Sequence, residues 1–197
     1  MDERKGYLNG FTGARIWKVD KNSAAEYALG PMIDLPGAQN LEKTVEGEEY
    51  VIRADDIIWD TGVEYSYEDL TFTIVQLTPA LEALLSGGEF DEVNKIYHFK
   101  NIDAAPEFAF GYAALKANKT YRMYKHFAMK LQSIALDHAT RGASTDAQAY
   151  QLTFRNTQRN VDGMVRDTKD STDATYTWLN TIDPISAGDP TPPPPSP

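Results

Sequence analysis

Val63-Glu64-Tyr65-Ser66-Tyr67-Glu68 sets apolar and polar side chains in alternation. Two later stretches do the same: Phe108-Ala109-Phe110-Gly111-Tyr112 and Tyr150-Gln151-Leu152-Thr153-Phe154-Arg155. A period of two sends alternate side chains to opposite faces of a strand. The chain is therefore expected to be mainly β, an antiparallel sandwich or barrel with one wet face per sheet. By parity, Val63, Tyr65 and Tyr67 face the core and Glu64, Ser66 and Glu68 the wet side. Further on, the apolar parity becomes even at Leu70, Phe72 and Ile74, which predicts a bulge or a strand break across Glu68-Asp69. Just upstream, Asp60-Thr61-Gly62 reads as a turn.

Working outward, strands are expected at residues 14–19 and 25–29, with a turn at Asp20-Lys21-Asn22-Ser23 between them and a stop at Gly30-Pro31. Residues 30–56 are the least regular part, interrupted by Pro31, Pro36, Gly37 and Gly47, with short strands at 39–45 and 50–53. A connection of that length in a compact domain is usually functional or disordered. Thr78-Pro79-Ala80-Leu81-Glu82-Ala83-Leu84-Leu85-Ser86-Gly87-Gly88 is a compact helix signal, helical over about 79–87. Thr78 caps it, Pro79 fits its first position, Glu82 lies near its first turn and Gly87-Gly88 ends it. Leu81, Leu84 and Leu85 form its apolar stripe, and so short a helix needs a sheet to lie against. Later strands are expected at 105–115, 120–132, 148–155, 161–166 and 175–179, the last anchored by Trp178. A hairpin turn is read at Ala117-Asn118-Lys119 and a longer loop at 140–146. Residues 1–183 make one β domain and 184–197 a proline-rich, disordered tail of polyproline II character.

The chain of 197 residues can bury a core without staples, and it contains no cysteine, so disulfides and thiolate zinc sites are excluded. No stretch approaches the ~20 apolar residues of a membrane helix, and Met1-Asp2-Glu3-Arg4-Lys5-Gly6 does not read as a secretory signal. A leaderless soluble protein made in the cytoplasm is expected. The formal net charge is -10 and unevenly spread: residues 1–95 hold 19 acidic and 8 basic side chains, residues 96–197 hold 10 and 11. An acidic chain is a poor candidate for wrapping nucleic acid, whose affinity comes from Lys and Arg on phosphates.

No nucleophile elbow and no glycine-rich phosphate loop is present. His98, His126 and His138 are scattered, and His126, beside Lys125 and Phe127 on an expected strand, reads as structural. Asp55, Asp56 and Asp60 are the nearest thing to a metal site, but they match no EF-hand spacing and fit an acidic turn. No cofactor, metal or catalytic residue is expected. The strand aromatics Tyr65, Tyr67, Phe72, Phe108, Phe110, Tyr112, Tyr121, Tyr124 and Phe127 could offer a sugar-binding platform. Core packing and cross-strand pairing account for them more simply.

Three stretches resemble the major tail proteins, or tail tube proteins, of long-tailed, non-contractile phages of Gram-positive bacteria. Thr44-Val45-Glu46-Gly47-Glu48-Glu49-Tyr50-Val51-Ile52-Arg53-Ala54-Asp55-Asp56 resembles that family's acidic turn and following strand. Residues 62–88 resemble its strand, strand, short helix and Gly-Gly unit. Residues 105–154 resemble its later strands, and Trp178 matches a late aromatic. The likeness covers about residues 10–182.

The resemblance implies a fold of the tail tube type and a homohexameric, self-assembling virion protein. Its rings stack into a hollow tube, with the helix outside the sheet and a long loop reaching the next ring. It also implies tape measure, distal tail and tail terminator proteins as partners, and passage of double-stranded DNA through the lumen without adhesion. On this reading Glu64, Ser66 and Glu68 are lumen-facing, and residues 30–56, with Pro31, Pro36, Gly37, Glu46, Glu48 and Glu49, form the ring-stacking loop. The alternative from another class is a β-sandwich carbohydrate-binding module recognising a cell surface. A metal enzyme built on Asp55, Asp56 and Asp60 comes third.

Overall fold

The computed structural model describes residues 8–54, 57–101, 103–136 and 149–186. Its strands are β1 (Leu8–Asn22), β2 (Glu26–Asp34), β3 (Ala38–Ala54), β4 (Ile57–Ile74), β5 (Glu89–Asp91), β6 (Ile96–His98), β7 (Glu107–Lys116), β8 (Tyr121–Leu136), β9 (Tyr150–Thr157), β10 (Arg166–Ser171) and β11 (Ile185–Ser186). One helix, α1 (Pro79–Ser86), follows β4. Nine strands make one antiparallel sheet in the order β11-β2-β1-β7-β8-β9-β4-β3, with β10 against β8; β5 and β6 form a separate hairpin. The expected class, mainly β with one short helix, is what the chain adopts. The 16-residue β8 serves three neighbours. Residues 121–130 pair with β7 on one edge, while β10 and β9 share the other.

Chain order and spatial order conflict at one place, and that conflict shapes the molecule. β2 and β3 are joined by Leu35-Pro36-Gly37 alone, yet they lie toward opposite flanks of the sheet. The sheet must curl until those flanks meet. The Leu35 N–H donates to Ala14 O at 2.9 Å and the Val75 N–H to Gly37 O at 3.0 Å, so the turn is tied to both β1 and the end of β4. Gly37 sits at φ 78°, where a side chain would be strained and would meet Val75.

The concave side is filled from β1, β4, β7, β8 and β9. Leu70, Phe72, Ile74, Phe108, Phe110, Leu152 and Phe154 are fully buried. The Phe72 ring stacks between Phe110 at 5.3 Å and Phe154 at 5.0 Å. The convex side of β7 is covered too, contrary to the expected wet face. Its outward residues are Ala109, Gly111 and Ala113, small enough for Trp17 and Leu179 to lie across them; a Cβ on Gly111 would meet Trp17 Cη2 at 3.2 Å. The cover comes from the C-terminal segment. There the expected strand at 161–166 is a loop, and β10 starts only at Arg166. Arg159, buried over the Phe127 ring at 4.2 Å, holds Asp162 through its guanidinium, and Gly163 at φ 73° turns the chain so that Val161 and Met164 pack on the sheet. Likewise the strand expected at 175–179 is a 3-10 turn (Thr177–Asn180). Asp173 accepts the N–H groups of Thr175 and Thr177, both at 2.8 Å, which bends the chain before Leu179 enters the core. The Thr175 and Thr177 hydroxyls also donate to Asp173, and these bonds, with the two N–H bonds, hold its carboxyl well below the usual range.

The helix follows its local chemistry. The Leu81 N–H donates to Thr78 Oγ1 at 3.2 Å, Pro79 opens the helix, and Gly87 at φ 80° closes it by donating its N–H to Ala83 O. Leu85 is fully buried, whereas Leu81 and Leu84 are half-buried against the same core.

The punctuation around β2 and β3 reads differently in three dimensions. Gly30-Pro31 does not stop β2; the extra residue is absorbed by a register shift between Trp17↔Met32 and Val19↔Leu29. Pro31 lies beyond the reach of β11, so its missing N–H leaves no ladder bond broken. At the far end Ile185 pairs with Tyr27, so the folded part extends past residue 183. The proline-rich run, the 140–146 loop and His138 lie outside the described residues.

Candidate functional site: a projecting arm and its anchor

Residues 30–56 are not an irregular loop. They form the end of β2, the tight turn and a 17-residue β3, which pairs with β4 from Ala38↔Ile74 to Ala54↔Ile57. Asp60-Thr61-Gly62 is strand, not turn. On its other side β4 pairs with β9 only from Glu68 to Ile74. Beyond Glu68 the β3–β4 pair continues as a two-stranded ribbon with no third strand among the described residues, here called the arm. Pro31, Pro36 and Gly37 belong to the body. Glu46, Glu48 and Glu49 belong to the arm, so the six residues expected in one loop fall into two places.

Both glycines that resembled breakers are structural parts of the ribbon. A Cβ on Gly47 would fall 2.6 Å from Val63 Cγ1 and Glu64 O, and one on Gly62 would meet the Tyr50 ring. The register slips between Glu46↔Tyr67 and Gly47↔Tyr65, leaving Ser66 as a bulge two residues before the expected break. The bulge exchanges the faces. Tyr65 therefore falls on the side of Glu68, and its hydroxyl donates to Asn156 O at 3.2 Å. Tyr67 turns to the other side, under the Arg155 guanidinium at 3.7 Å, while Arg155 pairs with Asp69 at 3.0 Å.

The arm exposes Val45, Tyr50, Val51, Ile52, Ile57, Ile58, Trp59, Val63 and Tyr65, with Trp59 at 71% and Val63 at 66%. Val63 and Tyr65 do lie on the core-side face, but the body ends below them. Residues 46–67 also hold seven acidic side chains and one basic. Cross-strand pairing places Glu48 directly opposite Glu64 and Tyr50 opposite Gly62 on one face, with Val51 opposite Thr61 and Glu49 opposite Val63 on the other.

Glu68 corrects the parity reading. It is 1% exposed and anchors the arm, so it lines no open surface. Its carboxylate pairs with Arg166 of β10, with Lys43 of β3 at 3.8 Å and with His126 Nδ1 of β8 at 3.2 Å, and accepts from Asn156 Nδ2 of β9 at 3.2 Å. It shares a face with Leu70, Phe72 and Ile74, at the end of the core, where a carboxylate is tolerated only with partners. Glu64 and Ser66 are exposed. Burial pushes the Glu68 carboxyl up, but the hydrogen bond and charge of His126 and the charges of Arg166 and Lys43 outweigh it, and the net direction is down. Burial pushes fully enclosed His126 down despite Glu68. Burial also raises the Tyr65 hydroxyl to about 12, with the Glu68 charge adding to it. Nothing in the sequence marked this cluster, because its members come from five strands.

The other candidates separate. His98 is exposed on β6. Asp60 accepts from the Thr61 N–H at 2.8 Å and from Tyr50 OH at 3.4 Å, and Asp55 and Asp56 lie outside the described residues. Among the described residues no group of three or more His, Asp or Glu is placed to hold a metal, and no helix is long and apolar enough to cross a membrane. Of the aromatics considered for sugar stacking, Phe72, Phe108, Phe110, Tyr112 and Phe127 are buried, so they form no platform.

No protein-family model and no curated protein matches this chain. Solved structures do. The chain is similar to one in the cryo-EM structure of the anti-feeding prophage tube-terminating cap, at 8% identity and a TM-score of 0.45, over 84% of this chain and 93% of that one. It is similar to a chain of the anti-feeding prophage baseplate at 8% identity and a TM-score of 0.42, over 83% and 93%. A chain of the sheath-tube complex of an extracellular contractile injection system in its extended state matches at 10% identity and a TM-score of 0.39, over 79% and 87%.

Proposed function

We propose that this chain is a structural subunit of a phage-type tail, a tail tube protein of the long-tailed, non-contractile kind that its sequence resembles, and not an enzyme. Made in a host cytoplasm, it assembles into hexameric rings that stack as a conduit for double-stranded DNA. Tape measure, distal tail and terminator proteins meet it along and at the ends of the tube.

The observation that carries the reading is the arm. An isolated two-stranded ribbon is marginal in water, and nine large exposed apolar side chains on one are a surface that asks for a partner. Arm of one copy on body of the next is a heterologous contact, which closes into rings or continues as a filament. Acidic side chains along the lumen would keep phosphate from adhering.

Negative-stain electron microscopy with size-exclusion chromatography tests this. Six-fold rings or hollow tubes are the expected result. A protein that stays monomeric at every concentration, with or without tail partners, would refute it.

A further inference from the structure

Resting on that assembly reading, we propose where the arm lands: its Glu48–Glu64 face docks on the Trp178 face of a second copy, so that Glu64 meets Lys169.

The arm carries an acidic pair with no counter-charge among the described residues, and the body carries two neighbouring lysines, of which the exposed one, Lys169, makes no ion pair among the described residues. On the arm, Glu48 and Glu64 are direct cross-strand partners, and among the described residues neither makes a side-chain ion pair or hydrogen bond. Like charges so placed are destabilising. On the body, Lys125 of β8 and Lys169 of β10 share one ring: Lys125 Nζ lies 4.0 Å and Lys169 Nζ 6.0 Å from the centre of Trp178. Among the described residues neither lysine has a carboxylate within ion-pair distance; Lys125 faces Asp167, its direct cross-strand partner, and Asp183 from farther off, so Lys169 is the cation left open to an incoming carboxylate. Lys125 is buried, and Lys169 stands exposed at the rim.

Elimination supports the match. Lys116 and Arg122 are taken by Asp170, Arg155 by Asp69, Arg159 by Asp162, and Lys43 and Arg166 by Glu68. Arg15, Lys21, Lys95, Lys100 and Lys130 also have carboxylate partners. The remaining unpaired cations among the described residues, Lys18, Arg53 and Lys119, are scattered over β1, the arm and the β7–β8 turn. Lys125 and Lys169 are the adjacent pair.

The apolar pattern matches as well. On the arm Tyr50 occupies the position between the glutamates' row and Asp60, its ring lying over Gly62. On the body Trp178 lies between two cations. Docking sets ring against ring and brings Glu64 onto the exposed Lys169, which relieves the repulsion between Glu48 and Glu64.

The chain has no cysteine, so a direct test is clean. Chains carrying Glu64→Cys mixed with chains carrying Lys169→Cys are expected to form an interchain disulfide in assembled particles and none when dilute. In parallel, Glu64→Lys and Lys169→Glu should each raise the concentration needed for polymerisation by about tenfold or more, and both changes in one chain should restore it. Circular dichroism confirms that these exposed substitutions leave the fold intact. Assembled particles that do not cross-link, or single variants that polymerise like wild type, overturn the docking site and leave the assembly reading standing. A wild-type chain that never associates overturns both.

Discussion

Below Glu68, β4 lies between β3 and β9 and sends Leu70, Phe72 and Ile74 into the core. Above it the same strand has only β3 beside it, and Trp59 and Val63 stand in water. Composition does not separate the two halves, since both are rich in large apolar residues. Coverage does. The body is stable because its apolar side chains have partners within one chain, whereas the arm's partners must come from outside it. The boundary is a single carboxylate.

Substitutions on the two sides of that boundary should therefore behave differently. The largest effect belongs to Phe72→Ala, which removes the middle ring of a three-ring stack. A loss of about 3–5 kcal/mol is expected in urea unfolding; a loss under about 1 kcal/mol would mean that Phe72 does not pack at the centre of the core. At the boundary, Glu68→Ala leaves Arg166, Lys43 and His126 without their shared anion. Because Arg166 and Lys43 reach solvent, about 2–3 kcal/mol is expected, less than for a wholly enclosed group. Hydrogen exchange over residues 46–67 should speed up in the same variant, and unchanged exchange there would separate Glu68 from the arm.

The boundary should also respond to pH. His126 takes up a proton less readily folded than unfolded, so its contribution is present above the unfolded value of ~6.5 and is lost as pH falls below it. Glu68 and Asp170, the latter held at about 2 first by its hydrogen bond from Arg122, contribute above the unfolded carboxylate range near ~4 and lose that contribution as pH falls further. Stability should thus decline in two stages. His126→Gln should remove the upper stage alone, and a curve unaltered between pH 7 and 5 would contradict the assignment. The smallest effect on the isolated subunit belongs to the arm: Trp59→Ala should change unfolding by no more than ~0.5 kcal/mol while reducing polymerisation. A subunit destabilised by 2 kcal/mol would place Trp59 inside its own fold.

How much of this could be read from the residues depends on how local each signal is. Thr78, Pro79 and Gly87 fix the helix through contacts within ten positions, so it was legible almost to its last residue. The strands β7, β8 and β9 were legible because their alternation is backed by burial. The arm was hidden by Gly47 and Gly62, which locally resemble breakers and in the ribbon provide close approach for Val63 and Tyr50. Val161 to Arg166 looked like a strand, but Arg159 and Asp162 close it into a loop over the sheet. Simple parity puts Glu68 on the wet side because it misses the one-residue bulge at Ser66, which inverts every face before it. The charged anchor was out of reach, since Lys43, Glu68, His126, Asn156 and Arg166 meet only after the sheet has formed.

The three-residue link between β2 and β3 has a kinetic consequence. The β3–β4 hairpin closes through neighbours in sequence, while β1 must find β7, and β4 must find β9, across some eighty to a hundred residues. Local pairings form in microseconds and distant ones much more slowly. Each new chain therefore displays its stickiest ribbon before it has a finished body on which another copy could receive it. Crowded refolding should then yield misassembled chains, and slow dilution should yield competent subunits.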